Sequence, residues 1–154
     1  MAQQHPKICL VCSSGGHLTQ LHMLEPWWHD KDRLWITFDK EDANSLLKGE
    51  HVIHCFCPTN RNLHNLLRNT ALAWRVLRRE RPDVIVSTGA AVAVPFMYLG
   101  RLFGARTVYI EVFDRIDRPT LTGRLIRPIT NLFVVQWPTM ERVYKGSVNL
   151  GSIF

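Results

Sequence analysis

The residues that could carry out chemistry begin with a run of small side chains directly before His17: Ser13, Ser14, Gly15 and Gly16. The run separates the apolar segment 8–11 from leucines at three-residue steps, so we predict a buried strand that leads into a helix. The first amide groups of such a helix point toward the turn, and the helix dipole adds about half a positive charge there. We therefore predict an anion site at this turn, with His17 beside it.

A second turn of small residues follows the apolar segment 83–87 and contains Thr88, Gly89 and Ala90. Strands that alternate with helices indicate a parallel sheet, and we expect the strand order 3-2-1-4-5-6 of a Rossmann-like, doubly wound α/β fold. In that order both turns flank the crevice at which open α/β sheets bind ligands, and two helix N-termini there suit a diphosphate better than a carboxylate. Glu111 and Asp114 reach the same edge from the fifth strand.

The other elements follow from apolar periodicity within one predicted domain, residues 1–154. Strands are predicted over 34–38, 51–56, 83–87, 106–111 and 131–136. Pro26 is expected to end the first helix, Asp39 to cap a short second helix, and Asn60 to cap a long helix running to Glu80. The long helix carries an apolar stripe that we predict to be core: Leu63, Leu66, Leu67, Ala71, Trp74 and Leu77.

The net charge of the chain indicates which kinds of partner it binds. The formal net charge is +6 and the isoelectric point is near 9.5, which favours phosphates, nucleic acid or an acidic bilayer. Arg68, Arg75 and Arg79 share one face of the long helix, either as a solvated face or in contact with anionic headgroups. They are not interleaved with exposed aromatic side chains, so nucleic acid is the disfavoured partner.

The glycine spacing excludes two common cofactor sites. The first turn lacks the G-x-G-x-x-G pattern of dinucleotide-binding domains, and no Gly-Lys-Ser/Thr of a Walker loop follows it. Cys9, Cys12, Cys55 and Cys57 are interpreted as thiols of strands and not as metal ligands or a disulfide. We expect neither a cofactor nor a metal. No run of roughly 20 apolar residues and no signal peptide is recognised, so a cytoplasmic location is expected.

Together, a set of stretches in order resembles the acceptor-side subunit of split glycosyltransferases, the Alg-fourteen family, and especially its bacterial exopolysaccharide members of PssD type. The stretches are SSGGHLTQL at 13–21, STGAA at 87–91, YIEVF at 109–113 with TLTGR at 120–124, and FVVQWP at 133–138. The resemblance covers nearly the whole chain. It implies one half of a GT-B glycosyltransferase, similar to the N-terminal half of MurG.

Such a subunit faces the membrane and binds a polyprenyl-diphosphate-linked saccharide as acceptor, while a donor-site chain of Alg-thirteen or PssE type holds the nucleotide sugar. The resemblance matches His17 to the histidine that ends the first glycine loop, and Glu111 to the acidic residue of the Tyr-Ile-Glu segment. The membrane anchor of the eukaryotic members is not recognised in this sequence. Peripheral docking on the inner face of the plasma membrane is therefore expected instead.

Sugar transfer with inversion needs a general base near the acceptor hydroxyl and dipolar or positive groups for the phosphates. His17 and Glu111 are the two candidate bases, and the sequence leaves the choice between them open. The predicted acceptor or diphosphate contacts are Ser13, Ser14, Gly15, Gly16, Thr88, Gly89, Ala90 and Asp114. The alternative function is a non-catalytic scaffold that anchors and activates its partner. Donor recognition belongs to the other subunit, so the donor sugar and the linkage are not encoded here.

Membrane docking is expected from two places, the tryptophans after Pro26 and the segment 118–127, where leucines alternate with arginines. The residues expected to face the headgroups are Trp27, Trp28, Leu121, Arg124, Leu125 and Arg127. The alternative is that the leucines are core and the arginines solvated. The apolar tail 148–154 is expected to lie against the partner subunit, or else to cover the core of this chain.

Overall fold

A parallel sheet of seven strands, in the order β3-β2-β1-β4-β5-β6-β7, forms the centre of the computed structural model, which describes residues 6–154. The strands are β1 Ile8–Val11, β2 Arg33–Phe38, β3 Val52–Cys55, β4 Val84–Ser87, β5 Arg106–Ile110, β6 Leu132–Val135 and β7 Val148–Asn149. The predicted order of the first six strands is confirmed. The seventh is a short addition from the tail. The expectation that the chain has no signal peptide depends in part on residues 1–5, which lie outside the described residues.

The helices form two layers, one on each face of the sheet. The first helix layer consists of α1 Gly16–His22, α2 Glu25–Trp28 and α3 Glu41–Leu46. The second helix layer consists of α4 Leu63–Glu80, α5 Ala93–Leu102, α6 Leu121–Ile126 and α7 Pro138–Val143. This is the doubly wound arrangement that the alternation of strands and helices predicts.

The apolar stripe predicted on α4 is core only at Leu77, and its other members are exposed, contrary to the sequence prediction. Leu63 is 69% exposed, Leu67 63% and Trp74 43%. Buried on the opposite face are Asn65 and Asn69, whose amides bind the loop after β3: Asn69 pairs with both the N–H and the carbonyl of the backbone at residue 56. Backbone groups of that loop need partners, so polar side chains occupy the inner face and the apolar stripe lies outside.

Three helix boundaries also differ from the prediction. Asp39 does not cap the short helix α3, because its N-cap residue is Lys40 and no side chain caps it. Asn62, not Asn60, caps α4, because its side-chain oxygen accepts from the N–H of Asn65 at 2.9 Å. Pro26 does not end the first helix but lies in the first turn of α2, where its missing N–H costs nothing.

The half of the sheet formed by β4 to β7 is covered only in part on one of its faces. Among residues 6–154, every helix after β3 packs its buried side chains into the second layer. On the other face, Val84 of β4 and Val108 of β5 are partly buried. On the next two strands, Leu132 of β6 and Val148 of β7 are exposed. Val86, Ile110 and Val134, nearer the carboxyl ends of their strands, are buried on this face, so it is open only around Val84, Val108, Leu132 and Val148.

Candidate active site

The two small-residue turns meet, as the strand order predicts. Residues 11 and 87 pair across β1 and β4, so His17 and Thr88 lie side by side. His17 Nδ1 is 2.8 Å from the carbonyl oxygen of Thr88, and the Thr88 hydroxyl donates to the carbonyl of His17 at 2.7 Å. A carbonyl oxygen only accepts, so Nδ1 carries the proton, and Nε2 of the neutral ring is the nitrogen with a free lone pair. In the half-buried imidazole, Nε2 is therefore the ring nitrogen that can accept a proton.

Gly89 has no space for a side chain. Its φ is +114°, and a Cβ there would lie 2.8 Å from Tyr109 Oη and 3.3 Å from His17 Cε1. The Gly89 N–H is bound to Ser87 Oγ at 3.0 Å, and the next residue, Ala90, also has a positive φ of 67°. The second turn is thus packed tightly against the histidine and the tyrosine.

The first turn is open, but one of its amide groups is already occupied. A Cβ at Gly15 or Gly16 would meet nothing within 4 Å. Ser13 is buried, and its hydroxyl donates to the carbonyl of Ser14. The Gly15 N–H donates to the carboxylate of Asp42, at the start of α3, over 2.6 Å. The sequence analysis missed Asp42, because only the fold brings α3 beside this turn.

Glu111 follows β5 and is 1% exposed, so the structure does not place it at the open crevice. Oε2 accepts from Tyr144 Oη at 2.6 Å and from the N–H of Thr120 at 3.3 Å. Oε1 accepts from Thr120 Oγ1 at 3.0 Å, from the N–H of Val112 at 3.3 Å and from Tyr109 Oη at 3.4 Å. No Lys, Arg or His forms an ion pair with it among residues 6–154.

The two tyrosines that contact Glu111, Tyr109 and Tyr144, act as hydrogen-bond donors. Burial, and then the neighbouring Glu111 carboxylate, raise the pKa of both Tyr109 and Tyr144 well above the usual value for a phenol. Both therefore keep their protons at physiological pH. Asp114, by contrast, is exposed, and its carboxylate forms an ion pair with Arg115, with 3.7 Å between Oδ2 and Nε.

A buried pair of amides connects the site to the tail. Gln136 Nε2 donates to Gln20 Oε1 at 2.7 Å and to the carbonyl of Glu111 at 3.0 Å. Gln20 Oε1 also accepts from the N–H of Phe113, and Gln136 Oε1 from the N–H of Ile153. The tail thus lies against its own chain, where Phe154 contacts the Phe113 ring.

The residues expected to face a membrane divide between the two layers. Trp28 is 3% exposed and packs on Trp35, so its predicted position at the surface is wrong. Trp27 is exposed, but on the first helix layer. Leu121, Arg124 and Leu125 are exposed on the second layer, while the half-buried guanidinium of Arg127 binds the carbonyl of residue 145.

No helix among residues 6–154 has the length and apolar composition to cross a bilayer. Within the same residues, no group of three His, Cys, Asp or Glu side chains is arranged to hold a metal ion. Cys9, Cys12 and Cys55 are buried free thiols, and Cys57 is exposed.

Residues 57–153 match the family described as "Oligosaccharide biosynthesis protein Alg14 like". This chain belongs to the Alg14-like family. Among curated relatives, human "UDP-N-acetylglucosamine transferase subunit ALG14" is 28% identical over 178 aligned positions, covering 95% of this chain and 82% of the human protein. The mouse protein of the same name is 33% identical over 87 residues, 53% of this chain and 40% of its own length. In that match the chain therefore spans well under half of its relative.

Solved structures place the Alg14-like fold among larger proteins. Acinetobacter baumannii MurG superposes with a TM-score of 0.71 at 17% identity, over 87% of this chain and 43% of MurG. A Rickettsia bellii UDP-N-acetylglucosamine 2-epimerase gives a TM-score of 0.73 at 11% identity, over 97% of this chain and 45% of the epimerase. At these identities the likeness shows the fold alone: a Rossmann-like sheet of the kind that forms one half of a GT-B enzyme.

Proposed function

We propose that this Alg14-like chain is the acceptor-binding subunit of a two-chain inverting glycosyltransferase. The acceptor is a polyprenyl-diphosphate-linked saccharide, and the donor is a nucleotide sugar held by a second subunit of Alg-thirteen or PssE type. The observation that carries the proposal is the His17–Thr88 pair, which leaves Nε2 free at the switch-point crevice. The names of the relatives, each a UDP-N-acetylglucosamine transferase subunit, support the reaction class.

In this proposal His17 is the general base. Nε2 takes the proton of the acceptor hydroxyl as its oxygen bonds to the anomeric carbon, and the bond from that carbon to the nucleotide diphosphate breaks with inversion. The carbonyl of Thr88 then stabilises the imidazolium through the Nδ1–H bond. The acceptor diphosphate binds at the first turn, around Gly16, with Ser14 and Asp114 at its edge.

The test is transfer by the reconstituted two-chain enzyme. His17→Ala should lower turnover about a hundredfold or more, with the partner still bound, because the base is lost. His17→Asn is the matched variant: its amide nitrogen, like Nδ1, can donate to the Thr88 carbonyl, but it has no basic nitrogen, so it should be equally slow. Full turnover by both variants would leave only the scaffold alternative.

Docking to an anionic bilayer is the second part of the proposal, and the second helix layer supports it. Leu67 and Trp74 of α4, Leu102 of α5 and Leu121 of α6 are large exposed apolar side chains on this one layer. Exposed arginines accompany them, and the guanidinium of Arg78 lies 5.9 Å from the centre of the Trp74 ring. Apolar side chains beside arginines suit the boundary between headgroups and acyl chains on the inner face of the plasma membrane. Trp27 lies on the opposite layer and is not part of this proposed surface.

The partner is proposed to cover the open half of the sheet. Leu132 and Val148 are exposed on this face, and no helix formed by residues 6–154 lies over them. The tail ends beside this face, where Ile153 packs. Burial of such an apolar surface against a second chain removes it from water and stabilises the complex.

A further inference from the structure

Glu111 has no free lone pair directed at a ligand. A general base must come within about 3 Å of the proton that it takes. Both carboxylate oxygens instead accept hydrogen bonds from this chain, two of them from hydroxyl groups at 2.6 Å and 3.0 Å. To act as a base, the buried side chain would have to leave Tyr144 and Thr120 with unpaired donors, which is costly inside a protein.

The residues around the Glu111 carboxylate leave space for it and donate hydrogen bonds to it. Thr120 Oγ1 donates to Glu111 and accepts from the N–H of Gly123, so the same hydroxyl caps α6. A Cβ at Gly123 would lie 2.7 Å from Glu111 Oε2 and 2.9 Å from Thr120 Oγ1, so only glycine fits there. Glu111 thereby connects β5, the start of α6 and, through Tyr144, the end of α7.

The cluster also reaches the proposed base. Tyr109 Oη lies within hydrogen-bond distance of Glu111 Oε1, at 3.4 Å, and of Thr120 Oγ1, at 3.3 Å. The same hydroxyl packs under Gly89, whose other neighbour is the His17 ring. Displacement of Tyr109 would therefore shift the turn that holds His17.

We infer that Glu111 is a positioning residue: it fixes the segment 112–120 and, through Tyr109, the turn at Gly89 against His17, and it exchanges no proton with the acceptor. The inference rests on the proposed function for its kinetic consequences. Its structural consequence, an ordered segment 112–120, is independent of any reaction.

The experiment compares Glu111→Gln, Glu111→Ala and Tyr144→Phe in the reconstituted two-chain enzyme. The carboxamide of Gln keeps one acceptor oxygen, for Tyr144, and replaces the other with a donor, so its kcat should fall by less than about tenfold, with the same pH profile. Ala should lose at least about tenfold and Tyr144→Phe an intermediate amount, because donors or acceptors are left unpaired. Glu141→Gln, at an exposed carboxylate of α7, is the control. Equal losses of about a hundredfold in Gln and Ala, with one limb of the pH profile gone, would overturn the inference.

Hydrogen exchange of the chain alone provides a readout that needs no activity. The amides of Val112 and Thr120 donate to different oxygens of Glu111, so Glu111→Ala should speed exchange across 112–120, while Glu111→Gln, which keeps one acceptor oxygen, should speed it less. Wild-type exchange in the Ala variant would refute the positioning role. If the wild-type complex transfers no sugar, the proposed function fails, and this measurement still decides the role of Glu111.

Discussion

The orientation of His17 follows from one backbone oxygen. The sequence places a histidine after a glycine turn, but it does not show which ring nitrogen is free. The Thr88 carbonyl settles that, because it binds Nδ1 and leaves Nε2 at the crevice. Glu111 was recognised from its segment, but its buried carboxylate takes its two shortest hydrogen bonds from the hydroxyls of Thr120 and Tyr144, which lie 9 and 33 positions away in sequence. Contacts over such separations do not follow from local spacing.

The two glycine turns should respond differently to substitution. Gly16→Val should fold, because a Cβ there meets no atom within 4 Å, and it should raise the KM for the lipid acceptor if the diphosphate binds at this turn. Gly89→Val should instead lower the melting temperature, because its side chain would overlap Tyr109 and its φ is positive. Thermal unfolding and acceptor kinetics of the two variants check this. Unchanged acceptor kinetics in folded Gly16→Val would exclude the first turn as the diphosphate site.

An ion pair at the other end of the sheet gives a pH prediction. Lys7 Nζ is 2.8 Å from Glu80 Oε2, and this hydrogen bond holds the pKa of Glu80 below its ordinary value of 4.5. A carboxyl group with a lowered pKa in the folded state contributes stability above its unfolded pKa and loses it as the pH falls through the folded value. Glu80→Gln should therefore cost about 1 kcal/mol at pH 7 and much less in acid. Urea unfolding at both pH values tests this, and an equal cost at each would contradict it.

At the scale of the elements, the strands were predictable and the faces of the helices were not. Continuous apolar runs identify β1, β2 and β4, because a strand buried on both faces has no polar alternation. The same reasoning failed for α4, where a helical apolar stripe indicates a buried face. Asn65 and Asn69 are needed inside to bind the loop at residues 56–58, a requirement that becomes visible only when the loop is in place.

The exposed stripe leads to the docking prediction. Leu67→Glu with Leu102→Glu should reduce flotation of the chain with anionic liposomes, and reversal of Arg78 and Arg124 to Glu should do the same at low salt. These side chains are exposed, so the fold should be retained. The control is Trp27→Glu together with Leu46→Glu, two side chains that are also exposed, at 41% and 40%, but on the first helix layer. Equal loss of flotation in the control would show that no particular face docks.

For the whole molecule, the strand order predicts where ligands bind, and the open sheet face indicates where another chain fits. Leu132→Asp should weaken the complex with the donor-site subunit at least about tenfold, because it places a charge in an apolar interface. Leu66→Asp, at a similarly exposed residue of α4 on the other face of the sheet, is the matched control. Titration calorimetry of the two purified chains measures the difference. An undiminished affinity of Leu132→Asp would place the interface elsewhere.

The half-enzyme proposal is tested most directly by sugar transfer with and without the second chain. Because one Rossmann-like sheet uses residues 8–149, the described chain has no second sheet to hold a nucleotide sugar. The purified chain, incubated with a nucleotide sugar and a polyprenyl-diphosphate-linked saccharide, should transfer no sugar, and addition of the donor-site subunit should start transfer. Robust transfer by the isolated chain would contradict the account.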